Sequence, residues 1–133
     1  MGQKVNPIGF RLGVNKTWKS KWYVDPREYA ETLHEDLQLR KALLKCPEVQ
    51  GAEISDIEIS RKPQRVTVLI STNRPGVIIG TKGANIEKIC EQLQKCSSKK
   101  VQVKIKSIEH GEKDAQLIAQ SVAKQIAGRT AYK

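Results

Sequence analysis

The stretch at residues 76–86, GVIIGTKGANI, constrains the fold more than any other part of the chain. Two glycines, Gly80 and Gly83, enclose two residues and lie between branched apolar residues on both sides. Glycine adopts backbone conformations that other residues avoid, and it lets another molecule approach the main chain closely. The stretch therefore predicts either a plain turn between two helices or a turn whose bare backbone holds a ligand.

The spacing of the glycines excludes two common nucleotide sites. A P-loop requires a second glycine five places after the first, but Thr81 stands five places after Gly76. A dinucleotide-binding loop requires GxGxxG directly after a strand, and only GxxG is present. The sequence also lacks a Ser/His/Asp set, a carboxylate cluster and metal-like cysteine spacing, so we expect no catalysis, metal or cofactor.

The charge of the chain favours a nucleic-acid partner. Lys and Arg number 24 against 14 Asp and Glu, a net charge of +10. Cations that neutralise phosphates release condensed counterions, which gives affinity for a polyanion. The charge is also arranged in blocks, with no acid between Glu58 and Glu87 or between Glu91 and Glu109. We expect no membrane partner, because no apolar run approaches about 18 residues and no predicted helix pairs a basic face with one rich in Trp or Phe.

Residues 1–24 contain no acid, and glycine, asparagine and proline recur among them. This composition predicts an extended basic arm that docks on a partner. The cations expected to bind RNA are Lys4, Arg11, Lys16, Lys19 and Lys21. The arm ends in the aromatic residues Trp18, Trp22 and Tyr23. Two interpretations remain open, since these rings could pin the arm to the core or contact the partner.

Residues 25–133 are predicted to form one α+β domain. A helix is expected to begin at Asp25 and Pro26, which supply a capping side chain and a proline suited to the first turn. Alternating apolar residues predict strands around residues 57–59, 66–70 and 101–105. Helices are predicted at 84–96 and from Asp114. The helices are expected to pack against a three-stranded sheet.

Three predicted helices show apolar residues at helical spacing. In the first helix the recurring residues are Tyr29, Leu33, Leu37 and Leu44. In the helix at 84–96 one face carries Ile86, Ile89, Leu93 and Cys96. In the last helix one stripe carries Ala115, Ile118, Val122 and Ile126. Such spacing is typical of amphipathic helices.

The glycine loop fits a clamp for a nucleic-acid strand. A helical turn is expected before Gly80 and a helix after Gly83, whose first amides carry partial positive charge toward the loop. The pattern I-I-G-x-x-G-x-x-I resembles the signature of KH domains, in which a GxxG loop clamps about four nucleotides. The order of helices and strands resembles the type II arrangement. Ile79 and Ile86 are expected to floor a groove for unpaired bases. The RNA-binding residues predicted here are Arg74, Ile79, Gly80, Thr81, Lys82, Gly83, Ile86 and Lys88.

Three segments together resemble one protein family. MGQKVNPIGFRLG at the start, the tryptophan segment at 18–22 and RPGVIIGTKG at 74–83 are similar to small-subunit ribosomal protein number three of bacteria and plastids. The resemblance covers essentially the whole chain. It implies a structural constituent of the ribosome that binds rRNA in the head of the small subunit, near the channel through which mRNA enters. It also implies that the arm threads along rRNA.

The resemblance further implies contacts with mRNA and with small-subunit proteins ten and fourteen. It implies a ribosome in the cytoplasm or in the plastid stroma. Family members continue into a second α+β domain, whereas this sequence ends at Lys133, so the role of that domain in mRNA unwinding is not carried over. The alternative is a free-standing KH protein acting as an RNA chaperone or regulator.

Overall fold

The computed structural model describes residues 2–129, with every side chain in that range except that of Lys82. Within this range the chain forms the α+β fold that the sequence predicts. None of the helices in residues 2–129 is both long and apolar enough to cross a membrane. The elements are, in order, α1 (Pro7–Arg11), β1 (Ser20–Lys21), α2 (Tyr29–Lys45), β2 (Ile54–Lys62), β3 (Arg65–Thr72), α3 (Pro75–Ile79), α4 (Ala84–Gln94), β4 (Lys100–Ser107) and α5 (Ala115–Ala127).

The strands form one sheet in the order β1-β2-β3-β4. β2 and β3 make an antiparallel hairpin, whereas β1 pairs with β2 and β4 pairs with β3 in parallel. The sequence predicts three strands, and the additional one is the two-residue β1, which the arm contributes. It joins the sheet beside Ile59, whose backbone N–H donates to the carbonyl of Lys19 at 2.8 Å.

The core lies between one face of the sheet and the helices α2, α3 and α4. The side chains buried there include Leu39, Leu43, Ile59, Val66, Val68, Ile70, Ile78, Ile89 and Leu93. Burial of each such side chain stabilises the fold by about 1.5–3 kcal/mol before entropy is counted. The predicted face of α4 is confirmed, since Ile89 and Leu93 are buried and Ile86 and Cys96 pack against the core.

Helix α2 begins later than the sequence predicts. Asp25 forms only a turn, in which the N–H of Glu28 donates to its carbonyl at 3.0 Å, and the helix begins at Tyr29. No side chain caps this helix terminus. The capping signal therefore marks the turn that leads into the helix rather than its first residue.

The buried face of α2 also differs from the apolar spacing in the sequence. Leu39, Leu43 and Asp36 are buried, whereas Tyr29, Leu33, Leu37 and Leu44 are 37–60% exposed. The reason is the buried ion pair between Asp36 and Arg61 of β2, which turns the Asp36 side of the helix toward the sheet. An acid at a core position hides this face from an analysis of hydrophobicity alone.

The prediction of a wholly extended arm is wrong for residues 7–11, which form α1. The side chain of Asn6 accepts hydrogen bonds from the N–H groups of Ile8 at 2.9 Å and Gly9 at 3.2 Å. Pro7 occupies the first helical position, where its missing N–H costs nothing. Asparagine followed by proline is thus a local start signal, although no residue of α1 is buried.

Helix α5 meets the sheet through a side other than its apolar stripe. Leu117 is buried, and the side-chain amide of Gln120 donates to the carbonyl of Ile54 at 2.9 Å. Ile118, Val122 and Ile126 are 47%, 48% and 63% exposed. The predicted stripe exists but is not buried in the core, and Ile118 and Val122 line a shallow cleft together with Glu53 and Asn73.

The cap of α5 makes stability depend on pH. Asp114 accepts a hydrogen bond from Ser55 Oγ at 2.6 Å and two more from the N–H groups of Gln116 and Leu117. The bond from Ser55 lowers the pKa of Asp114 below its usual value of 3.8, and the two amides add to this effect. The ionised cap therefore stabilises the folded state above about pH 3.8, and this stability is lost as the pH falls through the lowered pKa.

We expect Asp114→Asn to remove this dependence, because asparagine still caps a helix but does not titrate. The parent should have a higher free energy of unfolding than the variant at neutral pH, and the gap should close below about pH 3.8. Urea unfolding across a pH series measures the gap. A gap that stays constant down to acid pH would contradict the assignment.

Candidate nucleic-acid interface

The GxxG loop joins α3 to α4 through two glycines in unusual conformations. Gly80 has φ +68° and ψ −175°, and Gly83 has φ +83° and ψ 5°. The first conformation is essentially restricted to glycine, and the second is the left-handed region, which side chains disfavour. The structure thus confirms a helix that ends before Gly80 and another that begins directly after Gly83.

Asn85 holds the loop closed from the side of α4. Its amide donates to the carbonyl of Val77 at 3.0 Å, across the loop. A Cβ atom added to Gly80 would lie 2.6 Å from Cγ of Asn85. Asn85 carries no signal in the sequence, because its role depends on how closely the two helices approach.

The two glycines should therefore tolerate substitution differently. Gly80→Ala should lower the free energy of unfolding by about 2 kcal/mol or more, through backbone strain and the clash with Asn85. Gly83→Ala meets no atom within 4 Å and should cost only about 1 kcal/mol, for its left-handed backbone. Urea unfolding of both variants measures the difference. Equal losses would show that Asn85 does not confine Gly80.

The first turn of α4 lies next to the loop, with the positive end of the helix dipole toward it. Gly83 precedes the helix, the N–H of Ala84 donates to the carbonyl of Thr81, and no described side chain caps the terminus. Such a terminus suits an anionic oxygen, since the helix dipole is positive there and no side chain of the described residues competes for the N–H groups. Thr81 lies exposed in the loop, while the side chain of Lys82 is outside the described part of the structure.

Apolar side chains lie beside the loop on α3 and α4. Val77 and Ile79 are 39% and 40% exposed, whereas Ile78 between them is fully buried and anchors α3. Ile86 is half-buried and packs on the core, and Lys88 is exposed on α4. The two residues predicted to floor the groove therefore differ: Ile79 is exposed to solvent, whereas Ile86 packs α4 against the core.

Arg74 precedes α3 and lies near an acid. Its guanidinium is 3.0 Å from Glu53 Oε1, and its side chain is 59% exposed. An exposed ion pair of this kind contributes less than about 1 kcal/mol. Arg74 is therefore able to exchange Glu53 for a phosphate.

The five predicted cations of the arm are all exposed but differ in their contacts. Lys19 lies 2.9 Å from Asp56, and Lys21 lies 2.7 Å from Glu58. Arg11 donates to the carbonyl of Pro7 at 3.1 Å. Lys4 and Lys16 have no acid within ion-pair distance among residues 2–129. The structure does not bring these cations together with the loop into one pocket.

Trp22 pins the arm to the domain, whereas the other aromatic residues do not. Its indole N–H donates to Asp36 Oδ2 at 2.8 Å, and its ring lies 5.5 Å from that of Tyr29. Trp18 and Tyr23 are 57% and 90% exposed. The first interpretation is thus confirmed for Trp22, and contact of Trp18 and Tyr23 with a partner stays a prediction.

Behind Trp22 lies a charged network that sequence analysis missed. Arg61 Nε is 2.7 Å from Asp36 Oδ1, and its NH1 is 2.6 Å from Glu35 Oε2. Burial raises the pKa of Glu35, but hydrogen bonds from Ser97 and Arg61 and the charge of Arg61 outweigh it, so that the pKa is lowered. One sequence signal for this network was available: the helical spacing of Asp36, Leu39 and Leu43 places an acid on the same helix face as two core leucines.

Arg40 is a second anchor for the arm. Its guanidinium donates to the carbonyl of Lys19 and the hydroxyl of Ser20, each at 3.1 Å, and also to the carbonyl of Ile57. One side chain of α2 therefore holds both the arm and β2. The arm leaves the domain from a fixed point.

Comparison with known proteins identifies the domain. The family model described as KH domain matches residues 39–113, which is more than half of the chain. The match runs from within α2 through the GxxG loop to the turn before α5.

Similarity to individual proteins extends over the whole chain. The small ribosomal subunit protein uS3 of Treponema denticola is 56% identical over 133 residues, which are 100% of this chain and 56% of the relative. The protein of the same name from Treponema pallidum is 55% identical, with 54% of the relative covered. That from Borrelia turicatae is 51% identical, with 49% covered. The chain spans about half the length of the curated relatives it matches.

Proposed function

The chain belongs to the KH domain family, with homologues over its full length named uS3, and we propose that it is a structural, non-catalytic constituent of the small ribosomal subunit. The observation that carries the proposal is the similarity across both the arm and the domain, at 56% identity to a uS3 protein. A free-standing KH protein would share the domain but would have no reason to share the arm.

In this proposal the partner is rRNA, and the domain and the arm bind it differently. The GxxG loop takes a sugar-phosphate strand on the bare backbone of Gly80 and Gly83, at the positive end of the dipole of α4. Ile79 offers an apolar surface to the bases. The remaining loop contacts come from Arg74, Thr81, Lys82, Ile86 and Lys88.

The arm, residues 1–24, lies along rRNA and neutralises phosphates without reading bases. Trp22 and Arg40 fix where it leaves the domain of residues 25–133. Lys4, Arg11 and Lys16 then lie beyond these anchors. Lys19 and Lys21 exchange their exposed acid partners for phosphates at little cost.

Finer features of the proposal concern the position in the ribosome. The domain lies in the head of the small subunit near the channel through which mRNA enters, beside small-subunit proteins ten and fourteen, and its loop faces rRNA or mRNA. Relatives from bacteria support a ribosome in the bacterial cytoplasm. The plastid stroma is the second location, which the sequence resemblance alone suggests.

Deletion of residues 1–20 tests whether the arm is needed for binding to the small subunit. The parent should co-sediment with small subunits reconstituted without their own copy of the homologous protein, and the deletion should abolish most of this binding. Salt should weaken the binding of the parent steeply, because several phosphate contacts are involved. A parent that stays off the subunit would favour the free RNA chaperone, and full incorporation of the deletion would contradict the role of the arm.

A further inference from the structure

The sheet has an open face, which turns away from α3 and α4. On β3 the buried Val66 and Val68 alternate with Thr67 and Leu69, which are partly exposed. Successive residues of a strand point to opposite faces, so Thr67 and Leu69 mark the side away from the core. The register extends this face to Gln102 of β4, which pairs with Thr67.

A group of cations lies on this open face, along the β2–β3 hairpin and the edge strand β4. Arg65 pairs with Lys62 on one side and with Lys100 on the other. Lys104 and Lys106 follow on β4, beside Leu69 and Ser71. All five are exposed. We refer to them as the open-face cations: Lys62, Arg65, Lys100, Lys104 and Lys106.

The acids of the open face are neutralised, whereas these cations are not. Asp56 and Glu58 of β2 point to the same face, and the arm supplies their partners Lys19 and Lys21. None of the open-face cations has a carboxylate within ion-pair distance in the described part of the chain. The face is therefore neutral beside the arm and positive toward β4.

The chemistry of the face suits phosphates rather than bases. β2, β3 and β4 contain no aromatic residue, although stacking on aromatic rings is what holds unpaired bases. Between the cations lie Ser60, Thr67, Ser71 and Gln102, whose hydroxyl and amide groups are able to donate hydrogen bonds to phosphate oxygens, and Gln102 Oε1 accepts from Arg65 at 3.3 Å. A cleft of about 700 Å³ between the hairpin and the start of β4 is lined by Lys62, Arg65 and Lys100.

We propose that the open face binds the phosphate backbone of double-stranded RNA, as a contact separate from the GxxG loop. The inference rests on the proposed function in taking RNA as the polyanion, and it assigns that RNA a second surface. The loop lies on the helix side of the sheet, and the open-face cations lie on the other. A folded RNA that passes around β4 would then contact both sides of the sheet: the GxxG loop binds a single strand, and the open-face cations bind the phosphates of a duplex.

The test pairs Lys104→Gln/Lys106→Gln with the control Lys41→Gln/Lys45→Gln, two exposed lysines of α2. Fluorescence anisotropy measures binding of the whole chain to a blunt RNA duplex and to oligouridine over a range of salt. For the duplex, the open-face variant should lose on the order of tenfold in affinity at low salt. The slope of log K against log salt should fall by about 2, near 0.9 for each phosphate contact. The control should match the parent.

A duplex affinity and salt slope equal to those of the control would overturn the inference. Equal losses for duplex and oligouridine would also overturn it, because they would show a general charge effect. Oligouridine binding by the parent reports separately on the loop. If the parent binds oligouridine but the open-face variant keeps the parent's salt slope for the duplex, the proposed function stands and the open-face contact is wrong.

Discussion

Replacing Thr81 and Lys82 with two aspartates should abolish most binding of single-stranded RNA while the fold remains intact. The substitution places two negative charges where a phosphate would meet the amides of α4, so attraction becomes repulsion. Affinity should fall by at least an order of magnitude at low salt, and the salt slope should become shallower. The fold should tolerate the change, because acids at a helix start favour the helix dipole.

A matched control separates this effect from a change in net charge. Gln38→Asp/Lys41→Asp also turns one neutral and one cationic residue into acids, at exposed positions of α2. Anisotropy with oligouridine at one salt concentration compares the two variants, and circular dichroism checks their folds. If the loop variant binds as tightly as the control, the loop does not hold RNA.

Asp36→Ala should cause the largest loss of stability among single substitutions in the arm anchor. Asp36 is 2% exposed and accepts from both Trp22 and Arg61, whose side chain is 5% exposed. Removing one partner of a buried ion pair costs roughly 3–5 kcal/mol, because the other charge stays buried. We expect about 3 kcal/mol here, since Glu35 still contacts Arg61. Urea unfolding measures the loss.

Asp56→Ala is the control, because it removes a partly exposed pair with Lys19 and a hydrogen bond from the N–H of Ile57, which together should cost only about 1 kcal/mol. Trp22→Phe removes only the indole N–H and should cost about 1 kcal/mol. The fluorescence of Trp22 should shift to longer wavelength in Asp36→Ala as the arm detaches. If Asp36→Ala were no more destabilising than Asp56→Ala, the arm would not be anchored through Asp36.

The strands and the loop could be predicted from sequence because their signals are local. Alternation around Ile57 and Val68 determines which face is buried, and the glycines at 80 and 83 determine where α3 ends and α4 begins. The register of a strand with one buried face is strongly specified, because a shift by one residue would move its apolar side chains to the solvent face. These elements appear with bounds within a few residues of those expected.

The arm was predicted, but the contacts that anchor it to the domain were not, because they join residues distant in sequence. Arg61 and Asp36 are 25 residues apart, and neither is apolar, so hydrophobic periodicity gave Tyr29 and Leu33 as the α2 face. β1 likewise exists only because Lys19 and Ser20 meet Arg40 and Ile59. A buried charge pair overrides the pattern that usually decides the orientation of a helix.

The most direct test of whether arm and loop hold rRNA at two separate places is hydroxyl-radical footprinting of rRNA in reconstituted small subunits. The parent, the deletion of residues 1–20 with assembly forced by excess protein, and the double-aspartate loop variant are compared. We expect the parent to protect two distinct rRNA regions, the loop variant to lose one and the arm deletion to lose the other. Identical protection by all three proteins, or loss of the same region in both variants, would contradict binding of rRNA at two separate sites.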